Sequence, residues 1–406
     1  MLVLTRSFRY WPMSHRSSRD VLTQHNTNVQ YDRTSAGALQ TMIDLEETFI
    51  YDAVVHAYNL APSNYRNEQH AQGITEMIFG TVDAASPPGY RVTRDGYIRN
   101  WTVDELANML FLESDTDMAT FQSLPLYAYH DGLTANENCV EALDKYPERF
   151  LGFANIDPLR DGWEESLEEQ VDAVDPVGLK LYPSHWGEDF HEGWRMDDES
   201  VAYPVFEKAK SLGIDLIEVH KAIPFGPVPR DPYHPGDVDD ACANFPEIDF
   251  GIVHGGLAFT EETAWQMVRF PNLHINMETL GVQLAANERA FAETLAKIIS
   301  IGGEAVLDRM YWGSAAMAYH PQPELEALRD FEWPDDIKQR GIEFSSMPEI
   351  TDEHKRNMLG RTYADLVGLD IEAARERLAD DEFSQRTADA GLSDPFSTTN
   401  AAAEVY

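Results

Sequence analysis

Residues 214–256, "IDLIEVHKAIPFGPVPRDPYHPGDVDDACANFPEIDFGIVHGG", decide the fold. Two short apolar runs, IDLIEVHKA and DFGIVHGG, flank a helical stretch at PGDVDDACANFP. Strands joined through a helix run parallel, because antiparallel neighbours need only a tight turn. The alternation continues outward in both directions. Upstream lie "FIYDAVVHA", "MATFQSLPL", "FLGFANIDP" and "VGLKLYP"; downstream lie "NLHINMETLG" and "RMYWGSAA". Eight buried strands in β–α alternation predict an α/β protein, a distorted TIM (β/α)8 barrel. No internal repeat is visible at the sequence level.

The barrel is expected over 42–370. Residues 57–110, rich in aromatics, Asn, Pro and Gly, form a long insertion after the first strand, placed to act as a lid over the pocket. Residues 183–200 follow the fourth strand and are expected beside it. Residues 1–41 carry five arginines against two acids, opposite in sign to the rest. They are expected to be a disordered arm or an upstream misreading of the start codon, with Met42 a natural start. A closing helix is expected at 349–369 with Thr351 as its N-cap, and 371–406 read as a flexible acidic tail.

With 43% apolar residues the chain can bury a full core. Its formal charge of −39, from 70 acids and 31 bases, argues against nucleic acid or an anionic membrane as partner. Two cysteines, Cys139 and Cys242, cannot build a disulfide framework. No apolar run has transmembrane length and the N-terminus lacks a secretory signal, so a cytoplasmic protein is expected. The partner expected is a small molecule, with a homodimer as the assembly.

Chemistry in a barrel gathers at the carboxyl ends of the strands. The two-residue period puts Asp52, Val54 and His56 on one face of strand one, Lys180 and Tyr182 on one face of strand four, and Glu218 and His220 on one face of strand five. His254 ends strand six, Glu278 ends strand seven, and His320 lies beyond strand eight. Singly, each is explained as a hydrogen-bonded structural group. Jointly, buried carboxylates and imidazoles need partners or a metal, so His56, Glu218, His220, His254, Glu278 and His320 form the candidate metal set. His254, Glu278 and Lys180 are the candidates for proton transfer and catalysis. Tyr58, Tyr182, His185 and Trp101 are the candidates for substrate contact; His70 is a further ligand candidate, and Arg91 and Arg94 are candidates to bind a substrate carboxylate.

"RFLGFANIDP", "VGLKLYP", "IEVHKA", "FGIVHGG" and "DRMYWGS", in that order, resemble the strand motifs of the amidohydrolase superfamily. The resemblance is to the branch that includes aminocarboxymuconate-semialdehyde and resorcylate decarboxylases. It implies a divalent metal (zinc, manganese or iron; one or two ions), with His56 and His220 as ligands and His254 assisting catalysis. It also exposes two departures. Val54 stands where the family has the first histidine of a His-x-His pair, and Ala315, in "YWGSAAMAYHP" (311–321), stands where it has a metal-binding aspartate. The expectation is a hydrolase or non-oxidative decarboxylase with a remodelled His/Glu site. The alternatives are a non-haem (di-)iron monooxygenase acting on an apolar, terpenoid-like substrate on the same barrel, and a non-catalytic ligand-binding descendant.

Overall fold

The computed structural model describes residues 43–187, 192–341, 346–401 and 404–405. All eight expected strands form: β1 (Tyr51–Val55), β2 (Met118–Gln122), β3 (Phe150–Ile156), β4 (Leu179–Leu181), β5 (Leu216–His220), β6 (Asp249–Val253), β7 (Leu273–Asn276) and β8 (Met310–Tyr311). Each pairs in parallel with the next, in the order β1 to β8. The segment after β8 then returns to β1. Ala53 N donates to Trp312 O (3.2 Å), Ala315 N to Val54 O (3.0 Å) and Met317 N to His56 O (3.1 Å). The sheet is thereby closed into a TIM barrel, which leaves no exposed edge.

Val54 and Ala315, the two positions where the resemblance expects ligands, are used in this seam. Val54 is fully buried, and a Cβ on Gly313 would lie 3.0 Å from its Cγ2. Only glycine lets the returning chain come that close to Val54.

The insertion carries three helices: α1 (Glu68–Ala85), α2 (Arg94–Tyr97) and α3 (Val103–Phe111). Thr102 and Glu105 start α3 with a reciprocal capping box. Apolar side chains of the insertion join one core cluster with Tyr182, Trp186, Phe225 and Ala315 to Ala318, which lie at the carboxyl ends of the strands. On the outer wall, α4 (Asn136–Lys145) and α5 (Trp163–Val174) flank β3. Among the described residues no helix is long and apolar enough to cross a membrane.

The carboxyl-terminal segment differs from the expected flexible tail. Helices Ile371–Leu378 and Glu382–Ala390 form, and Leu378, Phe383, Phe396 and Ala401 are buried. The physical reason is polar as much as apolar. Glu113, 2% exposed, accepts from Phe396 N (2.7 Å), Thr398 N (2.8 Å) and Thr398 Oγ1 (2.5 Å), while Glu105 accepts from Asn400 N (2.8 Å). Two buried carboxylates thus strap the chain end to α3. Deleting residues 392–406 should strip these partners, lower thermal stability by several degrees and quicken proteolysis within 57–111. Unchanged proteolysis would show that the insertion holds itself. The arm expected at 1–41 lies outside the described residues, as do residues 188–191.

Candidate active site

Contacts between non-adjacent strands define the barrel interior. Glu218 on β5 accepts from Tyr311 Oη on β8 (2.7 Å), Asn276 Nδ2 on β7 (3.1 Å) and Gln122 Nε2 on β2 (2.8 Å). Lys180 on β4 donates to Gln122 Oε1 (3.0 Å) and lies 3.7 Å from Glu218 Oε2. Glu218 and Lys180 are both fully buried. Both Glu218 oxygens are engaged in this polar layer below the mouth. Gln122 and Tyr311 escaped the sequence reading, having no motif; their inward direction on β2 and β8 was the available signal.

One layer higher stand the histidines. His56 Nδ1 lies 2.7 Å from Gln122 O, and its ring stacks on Tyr58 (5.3 Å, 15°). His220 Nε2 lies 3.0 Å from Ile223 O, and its ring stacks on Tyr182 (4.6 Å, 28°). His254 Nε2 approaches His220 Nδ1 and Nε2 at 3.3 and 3.2 Å, the rings crossing at 79°. Its Nδ1 lies 2.9 Å from Thr279 Oγ1, 3.4 Å from Glu278 O and 4.0 Å from Glu278 Oε1.

Burial is the first cause of every shift among these groups. It lowers His56 and His254 to about 3, with the Lys180 ammonium adding to the effect, and holds His220 well below its usual range. All three imidazoles are neutral at pH 7 and carry a lone pair each. Burial also raises Glu278, against the pull of Lys180. The Glu278 carboxylate accepts no hydrogen bond among the described residues.

The backbone is bent sharply beneath this group. Ala222, His254, Thr279 and Ala315 have φ of 68°, 63°, 69° and 58°. They follow the ends of β5, β6, β7 and β8 in turn. Left-handed non-glycine residues are costly and cluster where a site fixes side-chain direction.

Asp52 lies in the same face of β1 but serves the seam. Its carboxylate accepts from Ser314 N (2.9 Å), Ser314 Oγ (2.5 Å) and Val54 N (3.2 Å). Burial nevertheless raises it from 3.8 to about 7. Folded Asp52 keeps its proton where the unfolded chain has lost it. Its contribution to stability is therefore full below about pH 4 and is lost as pH rises through about 7, by up to about 4 kcal/mol. Asp52→Asn preserves the hydrogen-bonding shape and should remove that part of the pH dependence. Denaturant titrations of both proteins at pH 5 and pH 8 check this; equal slopes against pH would reject it.

The remaining expected residues scatter. His320 is not at the mouth: its Nε2 lies 3.3 Å from Glu113 Oε2, between the rings of Tyr90 and Phe396. His185 is held by Asp157 (2.5 Å) and stacks on Tyr127, and His70 Nδ1 lies 3.3 Å from Trp186 O. Trp101 donates to Tyr97 O under the Arg99 guanidinium, which lies 3.6 Å from its ring. It packs the insertion internally. Arg91 Nε donates to Ser86 O, and Arg94 pairs with Glu76 on an exposed surface. Tyr58 and Tyr182 do lie against the histidines.

The expected six-ligand set is thus not assembled, and among the described residues no three His, Cys, Asp or Glu side chains already form a metal shell. A smaller set does fit a metal. Two ligand nitrogens on one tetrahedral zinc are separated by about 3.3 Å, given Zn–N bonds of about 2.0–2.1 Å. His220 Nδ1 and His254 Nε2 stand 3.3 Å apart. Both are free for an ion when the protons sit on His220 Nε2, toward Ile223 O, and on His254 Nδ1, toward Glu278 O. Glu278, buried without a donor, is the carboxylate beside them.

The fold is thus a parallel eight-stranded barrel with three buried histidines gathered at the carboxyl ends of its strands. A protein-family model described as amidohydrolase matches residues 125–369, more than half of the chain, and the chain belongs to this family. Among solved structures, an uncharacterized TIM-barrel protein from Bordetella bronchiseptica shares 15% identity at a TM-score of 0.53, covering 79% of this chain and 98% of that one. 5-Carboxyvanillate decarboxylase from Sphingomonas paucimobilis shares 15% identity at 0.46, covering 80% and 99%. A putative metal-dependent hydrolase from Lactobacillus casei shares 11% at 0.48, covering 83% and 99%. At such identities the likeness is one of fold. A search of curated proteins gave no match.

Proposed function

We propose that this amidohydrolase-family chain is a metal-dependent hydrolase or carboxy-lyase acting on a small organic molecule, with His220 and His254 as the core of its site. The observation that carries the reading is the pair of neutral imidazole nitrogens at ligand spacing beside the unbonded Glu278 carboxylate. His220 Nδ1 and His254 Nε2 would hold the ion, with Glu278 or His56 as the further donor. A divalent ion so held supplies Lewis-acid polarisation of a substrate oxygen.

The chain's own groups supply the rest. Glu278, whose carboxyl burial raises above the usual carboxylate range, is suited to hold and move a proton at its carboxylate oxygen. In a decarboxylation that proton goes to the carbon that loses carbon dioxide; in a hydrolysis Glu278 takes one from water. Lys180, fully buried below, is balanced by Glu218 and holds Gln122, whose carbonyl lies beside His56. Tyr58 and Tyr182 fix the planes of His56 and His220 by stacking. The oxygenase alternative drew on the mixed His/Glu set, of which Glu218 and His320 make hydrogen bonds away from the histidine group.

The experiment is elemental analysis of chelator-free protein, followed by mass-spectrometric screening of small carboxylic acids, esters and lactones. About one divalent ion per chain, lost in His220→Ala, together with turnover of one substrate class, is the expected result. Protein that binds no divalent ion after reconstitution would reject the reading.

A further inference from the structure

Outside the barrel mouth, a crevice of about 200 Å³ separates α4 from α5, lined by Ser123, Asn136, Cys139, Phe153, Gln170 and Val174 among others. It meets a second crevice of about 230 Å³ through Asn136 and Ser166, which line both. Ser123 is 1% exposed, yet among the described residues its Oγ has no hydrogen-bond partner, and neither has Asn136 Oδ1. Gln170 cannot complete them. Its Oε1 accepts from Asn155 N (2.9 Å), and its Nε2 donates to Asn155 O (3.0 Å) and to Ser166. Buried hydroxyls and amides in folded proteins are almost always paired, so these two call for a partner that is not protein.

Charge narrows what that partner is. Glu137 and Glu169 line the crevice and no Lys or Arg does, which disfavours an anion. The crevice also receives the first turn of α4, whose N-cap, Ala135, makes no side-chain cap, so the positive helix end disfavours a cation. Phe153, Val140 and Val174 offer apolar wall. We propose that this crevice binds a small neutral molecule with an apolar body and one hydroxyl, which donates to Asn136 Oδ1 and accepts from Ser123 Oγ. The volume suits a six-membered ring bearing a hydroxymethyl group. The floor residue Ser123 directly follows Gln122, which holds His56, Glu218 and Lys180, so the crevice adjoins the support of the mouth.

Both thiols are 2% exposed, but Cys139 lines the crevice whereas Cys242 packs in a different core cluster and serves as an internal control. Alkylation of both thiols by N-ethylmaleimide is followed by peptide mass spectrometry in the full chain. Benzyl alcohol is the probe, with benzoate and benzylammonium as charged analogues. The expected result is saturable slowing at Cys139 of about fivefold or more with benzyl alcohol alone, and no change at Cys242. Ser123→Ala should raise the half-protecting concentration at least fivefold, and Ala173→Phe, which fills the crevice from its exposed side, should abolish protection. Absence of saturable protection, meaning a crevice filled by water alone, would overturn the proposal. So would equal protection by either charged analogue, or an unaltered Ser123→Ala.

Discussion

His254→Ala should lower turnover at least a hundredfold while leaving the barrel folded. His254 is the hub of the site: Nε2 faces His220, and Nδ1 faces Thr279 and the Glu278 carbonyl. Alanine removes one of two nitrogens at ligand spacing, and general acid–base or metal assistance of this kind is worth about 10²–10⁴ in rate. The fold should survive because β6 ends before residue 254 and its ladder does not use the imidazole. Thr279→Val is the finer variant. It removes only the hydroxyl that bonds Nδ1, so a loss of about tenfold with unchanged melting would mark Thr279 as a positioning residue. Full activity in His254→Ala would place the chemistry elsewhere.

Glu218→Ala should have the opposite signature, a large loss of stability. Removing the carboxylate leaves the fully buried Lys180 ammonium without its counter-charge and strips a partner from each of Tyr311, Asn276 and Gln122. Breaking one half of a buried ion pair costs about 3–5 kcal/mol, whereas replacing both halves with apolar residues is often neutral. The double variant Glu218→Leu with Lys180→Met should therefore recover much of what Glu218→Ala loses. Chemical denaturation of the three proteins measures this. A single variant within about 1 kcal/mol of the parent would mean that the interior layer is not an electrostatic unit.

The barrel was legible because its strands are short apolar runs in strict alternation with helices, a pattern set by burial on both faces. The histidines His56, His220 and His254 were legible for a related reason: strand ends in a barrel point to one place. The depth of Glu218 was not legible, because the two-residue period gives direction and not depth. Glu218 faces inward like His220 but two residues lower, where it meets Gln122, Asn276 and Tyr311. His320 lies in a loop nine residues past β8, where no periodicity fixes direction. The chain end was misread because its apolar residues are sparse. Glu113 and Glu105 hold it mainly through backbone N–H groups, which no side-chain pattern reveals. Tyr97 makes a similar case within the insertion, donating to Ala318 O across 221 residues of sequence (3.5 Å).

The seam at Ala315 also bears on the history of the chain. Its φ of 58° lies where alanine is uncommon and where aspartate and asparagine are several-fold enriched. The backbone thus keeps the shape suited to the residue that the family resemblance assigns to this position, although the side chain itself has gone. Aspartate at 315 would therefore take up a main-chain conformation that is already in place.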